Sequence, residues 1–281
     1  MSARQRFADV VRTEPVDVGL ACLLAGAVLV RSPEPDAAVD DGLRRLDELA
    51  AAARPEVPRR GGPRAAAEGL REALGGLAGF AGTEDDYADV RSSVLHEVLR
   101  RRRGLPLLLS VVWTEVAARL EVPAWCIALP GHVVAGVGDP DDEHVVVDPF
   151  AGGRLLDGDD VHRLMQRVGA HAAPELRPVD PVDLLLRLLT NVRVLTTRMP
   201  PSLDAARTRL EATELSLLLP RHSLELRRER GELLVRLGDH LGGADELEQY
   251  ADAVAADDDE QAVESAESAR RGARAARARL N

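Results

Sequence analysis

The chain has no lysine: all 36 of its basic residues are arginine. It therefore offers no side-chain amine for Schiff-base chemistry, for its own crosslinking or for acetylation. Aromatic residues are only 2% of the chain, and isoleucine occurs once, at Ile127. Such a bias fits a GC-rich coding sequence and carries no functional message. Cysteine is nearly absent too: Cys22 and Cys126 lie far apart in the apolar stretches LACLLAGAVLV and AWCIALP. Two distant thiols in apolar settings read as reduced and buried, which points to a cytoplasmic location. No CxxC or HExxH spacing is present, so no zinc signature is recognised and no cofactor is expected. Long apolar runs are missing as well. The longest, Val18 to Val30, falls short of the roughly 20 residues a bilayer demands and reads as a buried helix. The first residues, MSARQRFADVVRTEP, carry Asp9 and Glu14 and lack the basic flank, apolar block and cleavage site of a secretory signal. Finally, positive charge is in deficit: the net charge of −11 argues against general binding to a phosphate backbone.

What is present is enough for a sizeable core. Apolar residues make up 45% of 281 positions, and that length allows two domains. From Pro15 to about Ala53, helical spacing such as Leu43, Leu46 and Leu49 against Arg44, Arg45, Asp47 and Glu48 predicts two or three helices broken by RSPEPD. RPEVPRRGGPR at 54–64 is a loop, because three prolines and two glycines remove donors and helical dihedrals. Helices are predicted at about Ala65–Leu77 and Val90–Arg103, with the glycine-rich GGLAGFAGTEDDY between them. The four arginines at 100–103 end a helix, where the macrodipole favours cations, and Gly104 is placed as the residue that terminates it. Pro106 opens the next helix, to about Leu120. Its start is apolar all round, so it belongs at the centre of the core.

After Pro123 the pattern changes to short β-type runs, AWCIAL, HVVAGV and HVVVD, joined by PGH and GDPDDE. A small antiparallel meander packed on the helix is the expected result. The segment AGGRLL reads as a tight turn with a surface arginine paired to Asp157 or Asp159. From Asp157 the chain returns to helix, then crosses the proline-bearing APELRPVDP, taken as a domain boundary between 1–175 and 180–281. Beyond Asp180 the segments are amphipathic helices whose small residues and terminal prolines suggest tetratricopeptide-type hairpins. The acidic and then basic tail is a final helix or a frayed end.

RRRRGLPLLLSVVWTEVAARLEVP, LPGH and VDPFAGGRLL together resemble the transglutaminase-like superfamily, in the bacterial branch typified by the SirB-one protein. LRRLDELA and GFAGTEDDYADVRSSVLHEVL add weaker support, and the resemblance covers most of the chain. It implies an α+β fold: a helical N-terminal layer, a cysteine-protease-like core with a small antiparallel sheet, and C-terminal tetratricopeptide-like helical hairpins. In that superfamily a cysteine opens the core helix, where the helix N-terminus lowers its pKa, a histidine pairs with it, and an aspartate orients the histidine. His132 matches the family histidine and Asp148 the family aspartate. The cysteine position falls on Pro106, which has no nucleophile.

Two nearby residues carry a hydroxyl or a thiol that could stand in for the nucleophile. Ser110 lies one turn on from Pro106, but away from the dipole end, and reads as a helical serine bonded back to a carbonyl. Cys126 lies on the strand leading to His132 and reads as core. His132 and Asp148 are equally well read as a structural pair tying two strands together or as a retained binding pocket. A metal site from His132, His144 and Asp148 would require the three to converge, and His162 and His171 read as solvated. Arg154 is a candidate anion-binding guanidinium reaching the His132 groove. The sequence thus favours a non-catalytic protein with a protein or peptide partner, no nucleic acid and no membrane; it does not fix the oligomeric state. The alternative is an amidase or peptidase in which His132 and Asp148 act with a non-standard nucleophile.

Overall fold

The computed structural model describes residues 1–170, 175–255 and 260–279. Its N-terminal layer is helical: α1 (Ala3–Val10), α2 (Val18–Leu29), α3 (Pro35–Ala53) and α4 (Gly62–Leu70). Asp17 and Ser2 cap α2 and α1 through side-chain oxygens that accept backbone amides otherwise left without partners. Nine residues of α2 are buried, as a helix without a polar face requires. Among the described residues no helix is long and apolar enough to cross a membrane.

The expected helix at 65–77 divides. Its first half is α4, and Arg71–Leu77 is a π-helical turn. The reason lies in the glycines: a Cβ at Gly75 would stand 2.0 Å from the Gly152 carbonyl oxygen, so the turn lies directly on the loop after β3. The expected helix at 90–103 divides as well, into a 3-10 turn at Val90–Ser93 and α5 (Leu95–Arg101). Arg102, not Gly104, takes the left-handed conformation that ends α5, at φ 58°. Gly104 is needed for proximity instead, since a Cβ there would meet Val98 at 2.6 Å. A second 3-10 turn, Glu84–Ala88, lies within the segment read as glycine-rich loop.

The central helix α6 (Pro106–Arg119) begins where Pro106 predicts, with proline in its first turn. Every residue from Pro106 to Trp113 is buried. It packs on a four-stranded antiparallel sheet, β1 (Ala124–Leu129), β2 (His132–Gly138), β3 (His144–Asp148) and β4 (Arg154–Leu156), in sequential order. The turn expected at AGGRLL forms at Gly152 and Gly153, and the three residues after it add a fourth strand: Val146 pairs with Leu156 and Asp148 with Arg154. Alternation along the strands sends Cys126, Val133, Ala135, Val137 and Val147 into the main core with α6. Ile127, Leu129, Val134, Val146 and Leu156 face the other way, against Val161 and Met165 of α7 (Gly158–Gln166).

Five further helices complete the chain: α8 (Pro181–Arg198), α9 (Leu203–Leu218), α10 (Glu225–Leu237), α11 (His240–Val254) and α12 (Glu260–Ala278). The apolar core runs unbroken into the first two of them. Leu184, Leu185, Leu188, Leu189 and Val192 of α8, with Ala212 and Leu215 of α9, share one cluster with α2 and α6. The separate cluster lies later, between α11 and α12, and consists mostly of alanines. The fold is thus α+β, with the sheet held between α6 and α7.

Candidate functional site

The site forms where the N-terminus of α6 meets the start of β2 and the end of β3. The β1–β2 turn aligns Leu129 with His132. Three residues past that turn, Ala135 pairs with Val147, which leaves Asp148 at the end of β3 beside the start of β2. His132 Nε2 donates to Asp148 Oδ1 at 3.0 Å. The same oxygen accepts the Phe150 backbone N–H at 3.0 Å, so the carboxylate is fixed from two directions. Asp148 is only 3% exposed. The Phe150 ring stands perpendicular to the imidazole, with centroids 5.8 Å apart. This pairing holds the imidazole by one nitrogen and leaves Nδ1 as its second polar atom.

Close packing of glycines sets that loop. The Gly82 N–H donates to the Phe150 carbonyl, and a Cβ at Gly82 would fall 2.0 Å from the Phe150 ring. Gly152 and Gly153 both have positive φ, and a Cβ at Gly153 would crowd Trp113 and the Arg71 backbone. The GG after the Asp-Pro step is therefore required twice, by the turn and by the close approach of the π-helical segment.

His132 and Pro106 line one cavity of about 190 Å³, together with Tyr87, Leu105, Leu107, Gly131, Val133, Arg187, Asn191, Val194, Leu195 and Arg198. Leu107 forms part of its wall, whereas Leu108 and Trp125 do not line it. The structure thus brings together His132, Asp148 and the Pro106 position, and the proline stands in the same cavity as the imidazole. No thiol and no serine or threonine hydroxyl is among the lining residues. The one phenol, Tyr87, is pushed above its ordinary pKa by burial and by the nearby Asp148 charge, with Arg187 opposing.

The other sequence candidates lie elsewhere. Ser110 is buried and donates to the Val133 carbonyl of β2 at 3.2 Å; it ties helix to strand rather than bonding back within α6. Cys126 is buried on β1 opposite Ala135, and burial pushes its thiol up to about 12, despite the Thr114 hydroxyl. Its thiolate population at neutral pH is negligible. Cys22 is likewise raised, by burial first and then by the Glu115 charge. His144 bonds the Asp142 carbonyl and packs edge-on against Trp125, at the opposite end of β3 from Asp148, so the convergence that a metal site would require is not present among these three. Arg154 is exposed and pairs with Asp160 at 3.0 Å, rather than with Asp157 or Asp159. It borders a separate shallow depression with Arg64, Glu68 and Arg71 and does not reach the His132 groove. His162 is exposed, and His171 lies outside the described residues.

Sequence reasoning missed five groove residues. Tyr87 is delivered by the 3-10 turn, and its ring lies against Phe150. Arg187, Asn191, Val194 and Arg198 come from α8, beyond the boundary expected at APELRPVDP. The signal is in the periodicity: in DLLLRLLTNVRVLTTR these positions recur at i, i+4, i+7 and i+11, one stripe alongside the buried leucines.

Residues 40–190 match the family described as "Transglutaminase-like superfamily". A UPF0162 protein of Xylella fastidiosa is 33% identical over 179 residues, which is 61% of this chain and 62% of that protein. The chain thus spans less than two thirds of that relative's length. A UPF0162 protein of Pseudomonas aeruginosa is 31% identical over 218 residues, 76% of this chain and 78% of that protein. F-box only protein 21 of Mus musculus is 28% identical over 154 residues, 52% of this chain and 22% of that protein.

Proposed function

We propose that this chain, which belongs to the transglutaminase-like superfamily and is a relative of the UPF0162 proteins, is a non-catalytic member that binds a protein or peptide partner in its former active-site groove. The observation that carries the proposal is the lining of the cavity beside His132. An ordered imidazole–carboxylate pair is present, the N-terminus of the core helix is in place, and the residue at that terminus is Pro106, which has no nucleophilic atom. A triad without its nucleophile retains shape and polar groups but cannot form the acyl-enzyme that defines the reaction. The finer assignment, to the SirB-one branch with tetratricopeptide-like hairpins and a cytoplasmic location, belongs to the same proposal. The successive packing of α8 on α9, α9 on α10, α10 on α11 and α11 on α12 supports it.

One observation favours a second reading. Nδ1 of an imidazole oriented by Asp148 is the atom a hydrolase would use to take a proton from water. Under that reading the protein is an amidase or peptidase whose nucleophile is water.

A single experiment separates the two. The full chain is incubated with a mixed-sequence peptide pool, and mass spectrometry follows both what is retained and whether it is cut. Retention of intact peptides, reduced in His132→Ala, is the expected result; cleavage that His132→Ala abolishes would overturn it. The geometry of the degenerate site is tested by Pro106→Cys. A thiol placed there should react with iodoacetamide at least about a hundredfold faster than Cys126, because a helix terminus and an imidazole favour the thiolate whereas burial suppresses it at Cys126.

A further inference from the structure

The groove has a charge character that the superfamily triad does not explain. Its wall on the α8 side carries two guanidiniums, Arg187 and Arg198, with the Asn191 amide and the exposed Val194 between them. Several partly buried arginines of this chain rest on carboxylates: Arg193 and Arg209 share the buried Glu229, and Arg119 bridges Asp47 and Glu115. Among the described residues neither Arg187 nor Arg198 has a carboxylate within 4.0 Å. Arg187 is also largely fixed. Its Nη2 donates to the carbonyls of Leu129 (2.8 Å) and His132 (2.9 Å), which leaves Nη1 and Nε for other partners. Burial lowers its pKa, with only the Tyr87 phenol acting in the other direction. A half-buried cation held in place by neutral carbonyls keeps an unneutralised charge at a cavity mouth, and an anion bound there would recover the solvation lost on burial.

Size narrows the ligand further. A cavity of about 190 Å³ is below the roughly 300–1,000 Å³ typical of sites for whole small molecules, so it has room for one side chain or chain end. The α8 stripe extends the surface in one direction over three helical turns, from Arg187 to Arg198, which suits a chain lying along it. Guanidiniums recognise planar carboxylates through paired N–H donors. The Asn191 amide can serve either backbone group of an extended segment.

We infer that the groove recognises a carboxylate-bearing extended peptide: one Asp or Glu side chain enters beside His132 against Arg187, and the flanking residues run along α8 to Arg198. This rests on the peptide-binding reading given above and adds the chemistry of the peptide.

The test uses the full chain and an equimolar pool of capped peptides in pairs. One member of each pair carries Asp or Glu at alternate positions; the other carries Asn or Gln in the same places. Retained peptides are quantified by mass spectrometry for the unmodified protein and for Arg198→Glu, Asn191→Asp, His132→Ala and Arg12→Glu. Arg12 is exposed on the surface outside the groove, and its substitution changes the net charge as much as Arg198→Glu does. The expected result is at least tenfold enrichment of the carboxylate members, lost in Arg198→Glu and reduced in Asn191→Asp, and kept in Arg12→Glu. Retention without carboxylate preference, or a preference that Arg12→Glu removes as fully as Arg198→Glu, would overturn this inference. If that retention still falls in His132→Ala, the peptide-binding reading survives it. No retention of either pool would overturn both.

Discussion

Two regions of the molecule are held together by different physics. Around α6 the backbone approaches itself at Gly75, Gly82, Gly104 and Gly153, and the spaces are filled by Trp113, Phe80 and leucines with almost no exposure. Phe80 meets Trp113 edge-on at 6.4 Å. The α10–α12 region is different: its cluster consists of Ala244, Ala251, Ala266, Ala269, Ala273 and Ala276 around Leu247 and Tyr250. Arginine–carboxylate pairs join its helices, with Arg227 and Arg230 on Glu246, and Arg277 on Asp245 and Glu248. Close packing tolerates little change of shape, whereas exposed ion pairs are individually weak and replaceable. The difference teaches where precision is required. The His132–Asp148 pair stands at the tightly packed end, and the stripe of α8 that lines the groove lies between the two regions.

The contrast is broken most directly at Gly75→Ala. The new Cβ meets the Gly152 carbonyl, a backbone atom that cannot rotate away, and the expected loss is about 3 kcal/mol by urea denaturation. Asp148→Ala should cost less, about 2 kcal/mol. It leaves the Phe150 amide and the His132 ring without their shared acceptor in a buried place. A loss no greater than that of an exposed alanine substitution would show that the pair contributes nothing to the loop.

Asp86 sharpens the comparison through pH. It is buried at the start of the segment that carries Tyr87, and bonds Thr83, Ser92 and Arg103. Burial pushes its carboxyl up, but these donors outweigh burial and hold it below its ordinary value. A carboxyl depressed in the folded state adds stability at pH values above its unfolded pKa, and that stability is lost as pH falls through the folded value. Asp86→Asn should therefore cost about 1 kcal/mol at neutral pH and flatten the acid limb of the stability curve below about pH 4. An unchanged acid limb would sink this assignment. The smallest effect is expected at Arg277→Ala: the unfolding midpoint should not move measurably, because both of its partners are exposed.

Much of this was readable from the residues. The core helix follows from Pro106 and the apolar run after it, the first three strands from their alternation and intervening turns, and the His132–Asp148 pair from the LPGH and VDP motifs. What escaped depended on contacts distant in sequence. The division of 65–77 into helix and π turn follows from Gly75 meeting Gly152, and nothing in the local sequence announces that partner. β4 escaped because three residues beside two glycines look like a turn until a neighbouring strand offers them a ladder. Arg154 was drawn toward the groove by its place in a motif, yet Asp160, one turn into α7, lies nearer. The α8 stripe was legible as a periodicity but was hidden by treating APELRPVDP as a break in packing. A proline-rich connection ends a helix, but it does not stop the next one from entering the same core.

The two bonds from Arg187 to the carbonyls of Leu129 and His132 have a mechanical meaning. They pin the tip of the first hairpin to the side of α8, so the helix cannot slide without pulling the imidazole or tearing both links. Whatever pushes on the helical arm is therefore felt at the start of β2, where the imidazole is carried.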